Sequence, residues 1–111
     1  RADGLIHGKR AGVVATFNRK TSDGDVVEIS KDNTVVGSIG VISSNNLIIA
    51  NPSTNHSGVV FGTNTILPAL EDDYADGLVD FGNSSERFRD LYLSGGVSKL
   101  ETLCIFNLMF A

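Results

Sequence analysis

Cysteine is nearly absent: Cys104 stands alone in 111 residues, so neither an intramolecular disulfide nor a cysteine-rich zinc site can form. Tryptophan is missing, and proline occurs twice. Basic charge is scarce too. Nine Lys and Arg face thirteen Asp and Glu for a net charge of -4, with no basic block to neutralise a phosphate backbone, so nucleic acid is not an expected partner. No run of 18 apolar residues exists, and membrane insertion is not expected either. The first residues, Arg1-Ala2-Asp3-Gly4, carry neither the apolar region of a signal peptide nor an initiator Met, which suggests a piece of a longer or processed chain.

What is present is the balance of an ordered protein, with 41% hydrophobic and 20% charged residues. A chain of this length holds one ordinary domain or one module, and folding buries roughly two-thirds of the unfolded surface at that size. The core is therefore small, and association would help it. Gly (12), Ser (11) and Asn (9) come close to a third of the chain, while Val and Ile fill 19 positions. That mixture favours short strands and tight turns over helices, and the fold class is mostly β.

Residues 13–18 alternate, with Val13, Ala15 and Phe17 on one face and Val14, Thr16 and Asn18 on the other, which predicts a strand. Thr21-Ser22-Asp23-Gly24 supplies an Asp-Gly turn, and residues 25–30 alternate again, so an antiparallel hairpin is expected across it. A second turn at Lys31-Asp32-Asn33 leads into a strand over 35–42, where Gly37 and Gly40 suggest a bulge or a close backbone approach. Ser43-Ser44-Asn45-Asn46 ends that strand. Shorter strands are predicted over 47–50 and 59–62, and Leu67-Pro68-Ala69-Leu70 followed by Glu71-Asp72-Asp73 and Asp76-Gly77 reads as a surface loop. No sequence repeat links these strands. Most carry apolar residues on both faces, which one small chain cannot cover, and this points toward an oligomer.

The segment Asp80-Phe81-Gly82-Asn83-Ser84-Ser85-Glu86-Arg87-Phe88-Arg89-Asp90-Leu91-Tyr92-Leu93-Ser94-Gly95-Gly96 resembles a motif of bacteriophage tail fibres and tail spikes, especially those of marine phages. There an Asp, an apolar residue, a Gly and a few small polar residues precede a Phe between two basic residues, then Leu-Tyr-Leu-Ser-Gly-Gly. Upstream, residues 17–25 and Thr34-Val35-Val36-Gly37-Ser38-Ile39-Gly40 are similar to elements that precede the motif, so the likeness spans roughly residues 12 to 97. It implies a β-rich module over 1–97 in which three chains intertwine about a common axis, of the kind that precedes an intramolecular chaperone domain. Val13, Phe17, Ile29, Ile39 and Phe88 are the candidates to face that axis or a seam between chains. On physical grounds Asp80 and the Asn83-Ser84-Ser85 turn suit the capping of backbone amides, with Phe88 and residues 91–93 laid against a core; the alternative is a short helix over 86–92.

The sequence leaves the likeness after Val97. Ser98 and Glu101 have capping-box spacing, and the apolar run that follows is too short to span a bilayer, so 98–111 is expected to form a terminal helix or strand.

No motif for catalysis or for metal or phosphate binding is complete. Of two histidines, neither His7 nor His56 sits in a nucleophile elbow, and Cys104 lies in an apolar run that suits a buried thiol better than a thiolate. Asp72, Tyr74, Asp76 and Gly77 fail as a calcium loop, because Tyr74 stands at the third position and Asn83 at the twelfth. Asp23 and Asp25 are explained by turn geometry around Gly24. Gly4, Gly8, Lys9 and Arg10 miss the phosphate-loop spacing, and Gly37-Ser38-Ile39-Gly40 has strand-like flanks that an RNA-clamping loop lacks. No catalytic, metal or cofactor residue is assigned, and no enzyme is expected. The resemblance implies a structural and adhesive fibre module on the virion, a homotrimer that helps attach to a host-surface glycan or protein. The alternatives are a fragment of a glycan-cleaving spike and a monomeric extracellular β-sandwich binding module.

Overall fold

A computed structural model describes residues 4–98; the element expected over 98–111 falls, from residue 99 onward, outside the described residues. The described chain is mostly β, as its composition predicts, and contains no helix. Six strands follow one another: β1 (Gly24–Lys31), β2 (Thr34–Ile42), β3 (Asn46–Ala50), β4 (Ser57–Gly62), β5 (Thr65–Leu70) and β6 (Asp73–Tyr74). They form one antiparallel sheet in chain order, a meander in which every neighbour in space is a neighbour in sequence.

Turn chemistry explains the order. Asp32 and Asn33 both take positive φ between the paired Lys31 and Thr34, the mirror-image turn whose twist matches a hairpin, and short polar side chains tolerate that region best. Ser43 and Ser44 do the same between β2 and β3, while Asn64 and Glu71 turn the chain into β5 and β6. The β1–β2 ladder slips twice, at Val26 and Val36, giving each strand one bulge. The approach expected at Gly40 is real: a Cβ there would sit 2.6 Å from the Gly24 carbonyl oxygen.

Two sequence expectations are corrected. Residues 13–18 are not a strand, and no hairpin spans Thr21–Gly24; β1 begins at Gly24 and pairs with β2 instead. The Arg19 guanidinium explains the difference. Its Nε donates to the Ser22 carbonyl and its Nη1 to the Asp25 carbonyl, both at 3.0 Å, so the side chain spans the Thr21–Gly24 turn itself and takes the acceptors with which a tight hairpin would have closed. Gly24 has φ +141°, a conformation that glycine alone adopts readily, and the Arg19 guanidinium, whose carbon lies 2.7 Å from where a Cβ would stand, would also have to shift for any other residue. The second correction is residues 67–70, which belong to β5 and are not a loop. Pro68 is tolerated because its carbonyl points away from β4, accepting from the Ala75 N–H at 3.1 Å; the missing N–H faces the same side and costs the β4 ladder nothing.

Alternation gives the sheet two unlike faces. The inner one holds Ser38, Gly40, Ile48, Ala50, Val60 and Ala69, all buried, with Ile42 and Leu67 packed beside them. Four of the six buried positions carry Gly, Ala or Ser, which lets the sheet curl. Tyr74, opposite Ala69 on β6, reaches back to the β2–β3 turn, where its Oη lies 2.8 Å from Ser43 Oγ and accepts from Asn46 Nδ2 at 3.0 Å. The Ser44 N–H donates to Asp23 Oδ2 at 3.0 Å and the Glu71 N–H to the His56 carbonyl at 2.7 Å, holding the ends of adjacent strands together.

The chain divides into two compact units after Val79. In the second, Asn83 Oδ1 accepts from the N–H groups of Ser85 and Glu86, the capping expected of that turn. A helix over 86–92 does not follow. The Glu86 carbonyl, which would accept from residue 90 in a helix, is turned back to accept the Asn83 N–H at 3.0 Å. Phe81 and Phe88 stack across this turn, ring centroids 4.2 Å apart and planes 8° from parallel.

Candidate functional site

The outer face of the sheet is the feature that demands an explanation. Its side chains form two rows across the strands, Val27–Ile39–Ile49–Val59–Pro68 and Val41–Leu47–Phe61–Ile66. Every member is apolar, and none is charged. In a small sheet the bulky residues normally point to the core; here the core takes Ser38, Gly40, Ala50 and Ala69 beside Ile48 and Val60, and Leu47 (44%), Ile49 (42%), Phe61 (41%) and Ile66 (73%) are left in solvent. Scattered exposed apolar residues are ordinary, but a contiguous patch across five strands is the mark of an interaction surface.

Of the seam candidates read from the sequence, the sheet brings two onto this face, Ile39 within the first row and Ile29 beside it on β1, opposite Gly37. Val13 and Phe17 lie exposed before β1, and Phe88, 62% exposed, packs on Phe81 in the second unit. Sequence reasoning missed Leu47, Ile49, Phe61 and Ile66. The signal available for them was apolar residues at both parities of one strand, which shows that two layers are needed and not which residues face which.

The polar candidates do not converge. His56 Nδ1 lies 3.1 Å from the Thr54 carbonyl in its own loop, His7 is exposed before the sheet, and Cys104 lies outside the described residues. Among the described residues no group of three His, Cys, Asp or Glu is arranged to hold a metal, and no helix is long and apolar enough to cross a membrane. Asp72, Asp76 and Gly77 remain on the exposed surface after β5.

Curling does bring carboxylates from the two ends of the sheet together. A shallow groove beside β1 is lined by Arg19, Gly24, Asp25, Val26, Glu28 and Asp72. Partial desolvation, then the negative charges of Asp25 and Glu71, raise the Asp72 carboxyl above its ordinary value. A carboxyl raised on folding favours the folded state most when protonated, below the unfolded value near 3.8, and that advantage is lost as pH rises through the folded value. Asp72→Asn is therefore expected to raise the urea midpoint at neutral pH and to lose this gain as pH falls toward 3.8; a lowered midpoint at neutral pH would contradict the crowding.

Compared with known proteins, the chain matches no family, no curated sequence and no solved structure.

Proposed function

We propose that the chain is a structural and adhesive module of a phage tail fibre, a parallel homotrimer displayed on the virion that contributes to assembly and to attachment at a host-surface glycan or protein. The observation that carries this reading is the uncharged apolar patch that the two rows form on the outer face of the sheet. Its polar complement is missing, so a partner of the same apolar character suits it best, and further copies of the chain provide one. Three sheets set side by side about an axis would turn these rows inward and leave the Asp, Asn and Ser turns at the periphery.

The resemblance of residues 80–96 to fibre modules supports the family, and the all-antiparallel meander supports a part built for shape rather than for a catalytic cleft. Adhesion falls to exposed turns and to the grooves between chains, since loops held on a rigid sheet are where binding residues concentrate. Light scattering of the purified chain at micromolar concentration tests the assembly. Three times the 11.8 kDa chain mass is the expected result. A stable species of one chain mass would overturn the trimer and favour the monomeric binding module.

A further inference from the structure

Residues 13–18 have the alternation of a strand and no ladder. Val13 is 70% exposed, Val14 51% and Phe17 66%, and no backbone hydrogen bond joins these residues to another described segment. A sequence patterned to pair, left unpaired in its own chain, needs a sheet edge from elsewhere. The sheet has two edges, and they are not equivalent. On the β6 side, β6 covers only Ala69 and Leu70, and Pro68 presents no N–H to an incoming strand. The β1 edge contains no proline and pairs on its β2 side alone, with only the Asp25 carbonyl already taken by Arg19.

Charge makes the same choice. Residues 4–20 hold Lys9, Arg10, Arg19 and Lys20 and no acid, whereas residues 21–33 hold Asp23, Asp25, Glu28 and Asp32 against Lys31. Asp72 adds a further carboxylate beside β1, in the groove with Asp25 and Glu28. The segment before the sheet is thus a basic, strand-patterned arm, and the open edge is acidic.

We propose that residues 13–18 of one copy add as a strand to the open edge of β1 in a second copy, with Lys9 and Arg10 set against the carboxylates of Asp25, Glu28 and Asp72. The inference rests on the homo-oligomeric reading above and names the contact that intertwines the chains. Arm and edge are different surfaces, so the contact runs from one copy to the next, and a ring of three is the closure that the trimer reading requires. Strand addition supplies main-chain hydrogen bonds to an edge that otherwise stands open to indiscriminate pairing.

Hydrogen exchange of the full chain tests it, followed by mass spectrometry across a dilution series. In the assembled protein the amides of residues 13–18 should exchange at least about 100-fold more slowly than unprotected ones, and this protection should vanish on dilution to single chains while the β2–β4 amides stay protected. Lys9→Glu with Arg10→Glu should raise the concentration needed for assembly at least about tenfold, and Glu28→Lys in the same chain should recover part of the loss. An assembled protein whose 13–18 amides exchange freely would overturn strand addition and leave the oligomer standing. Protection that persists in single chains would place the partner within the chain and overturn it as well. A chain that never assembles would overturn both readings.

Discussion

Phe61→Asp is expected to leave the sheet folded and to weaken its assembly at least about a hundredfold. Phe61 lies on the outer face between Leu47 and Ile66, with 41% of its surface in solvent, and the buried side chains Ile48, Ala50, Val60 and Ala69 all lie on the other face. Its loss therefore takes little from the core of one chain. Against a neighbouring copy the account changes: fully burying a Phe side chain is worth on the order of 2 kcal/mol, the 41% of Phe61 still in solvent corresponds to about 0.8 kcal/mol of that, and a symmetric trimer repeats the contact three times. The total of about 2.4 kcal/mol corresponds to roughly two powers of ten in the association constant. Desolvating the new carboxylate only adds to the loss. The β signal in circular dichroism should stay at its wild-type value while light scattering across a dilution series shows single chains. A variant that assembles at wild-type concentrations would show that the outer face is not the interface, and an unfolded one would show that it is part of the core.

The effect hangs on a division of residues that the sequence displays only in part. Turns were legible where the chemistry was local: Asp32-Asn33 and Ser43-Ser44 reverse the chain as their side chains and backbone preferences dictate. The strand over 13–18 was misread because alternation records a capacity to pair and not the identity of the partner, and a single side chain, Arg19, occupies the acceptors where the hairpin would have closed. Pro68 misled in the opposite direction. Proline demotes a strand only when its missing N–H faces the ladder, and the direction of that N–H is a consequence of register, which emerges only once β4 and β5 have paired.

The two faces were the hardest to read. Val59 and Val60 are adjacent and alike in sequence, yet Val60 is fully buried and Val59 lies on the outer face, because burial follows the parity with the small residues Gly40, Ala50, Gly58 and Ala69. Hydrophobicity alone would have favoured the bulkier parity as core. Curvature decides otherwise: where the sheet bends tightly enough for Tyr74 to reach Ser43 and Asn46, its inner side carries Gly40, Ala50, Gly58 and Ala69 beside Ile48, Val60 and Leu67, and Leu47, Ile49, Phe61 and Ile66 fall on the outer side. The large side chains are turned out by geometry, and the demand for a partner follows from that.

The glycines of the sheet make this claim about curvature measurable, because two of them stand in opposite circumstances. A Cβ on Gly58 would lie 2.6 Å from the Ile49 carbonyl oxygen, 2.8 Å from Ala50 Cα and 2.9 Å from Ala50 Cβ. Most of that is backbone of the adjacent strand, which no rotamer change can move aside, so β3 and β4 must separate where Val60 and Ala69 complete the core. Gly37 is also a strand residue with ordinary φ, but its Cβ would meet only the Ala50 carbonyl oxygen, at a relaxed 3.5 Å. Gly58→Ala is thus expected to cost about 3 kcal/mol, at the upper end of overpacking penalties. Gly37→Ala should be neutral or stabilise by up to about 1 kcal/mol, since it removes conformational freedom from the unfolded chain without strain in the folded one. Urea unfolding of both variants in the Phe61→Asp background, where assembly no longer contributes, reads the difference directly. Equal midpoints would mean that β3 and β4 approach no more closely than other strands of the sheet, and the tight inner face that forces the bulky side chains outward would lose its physical basis.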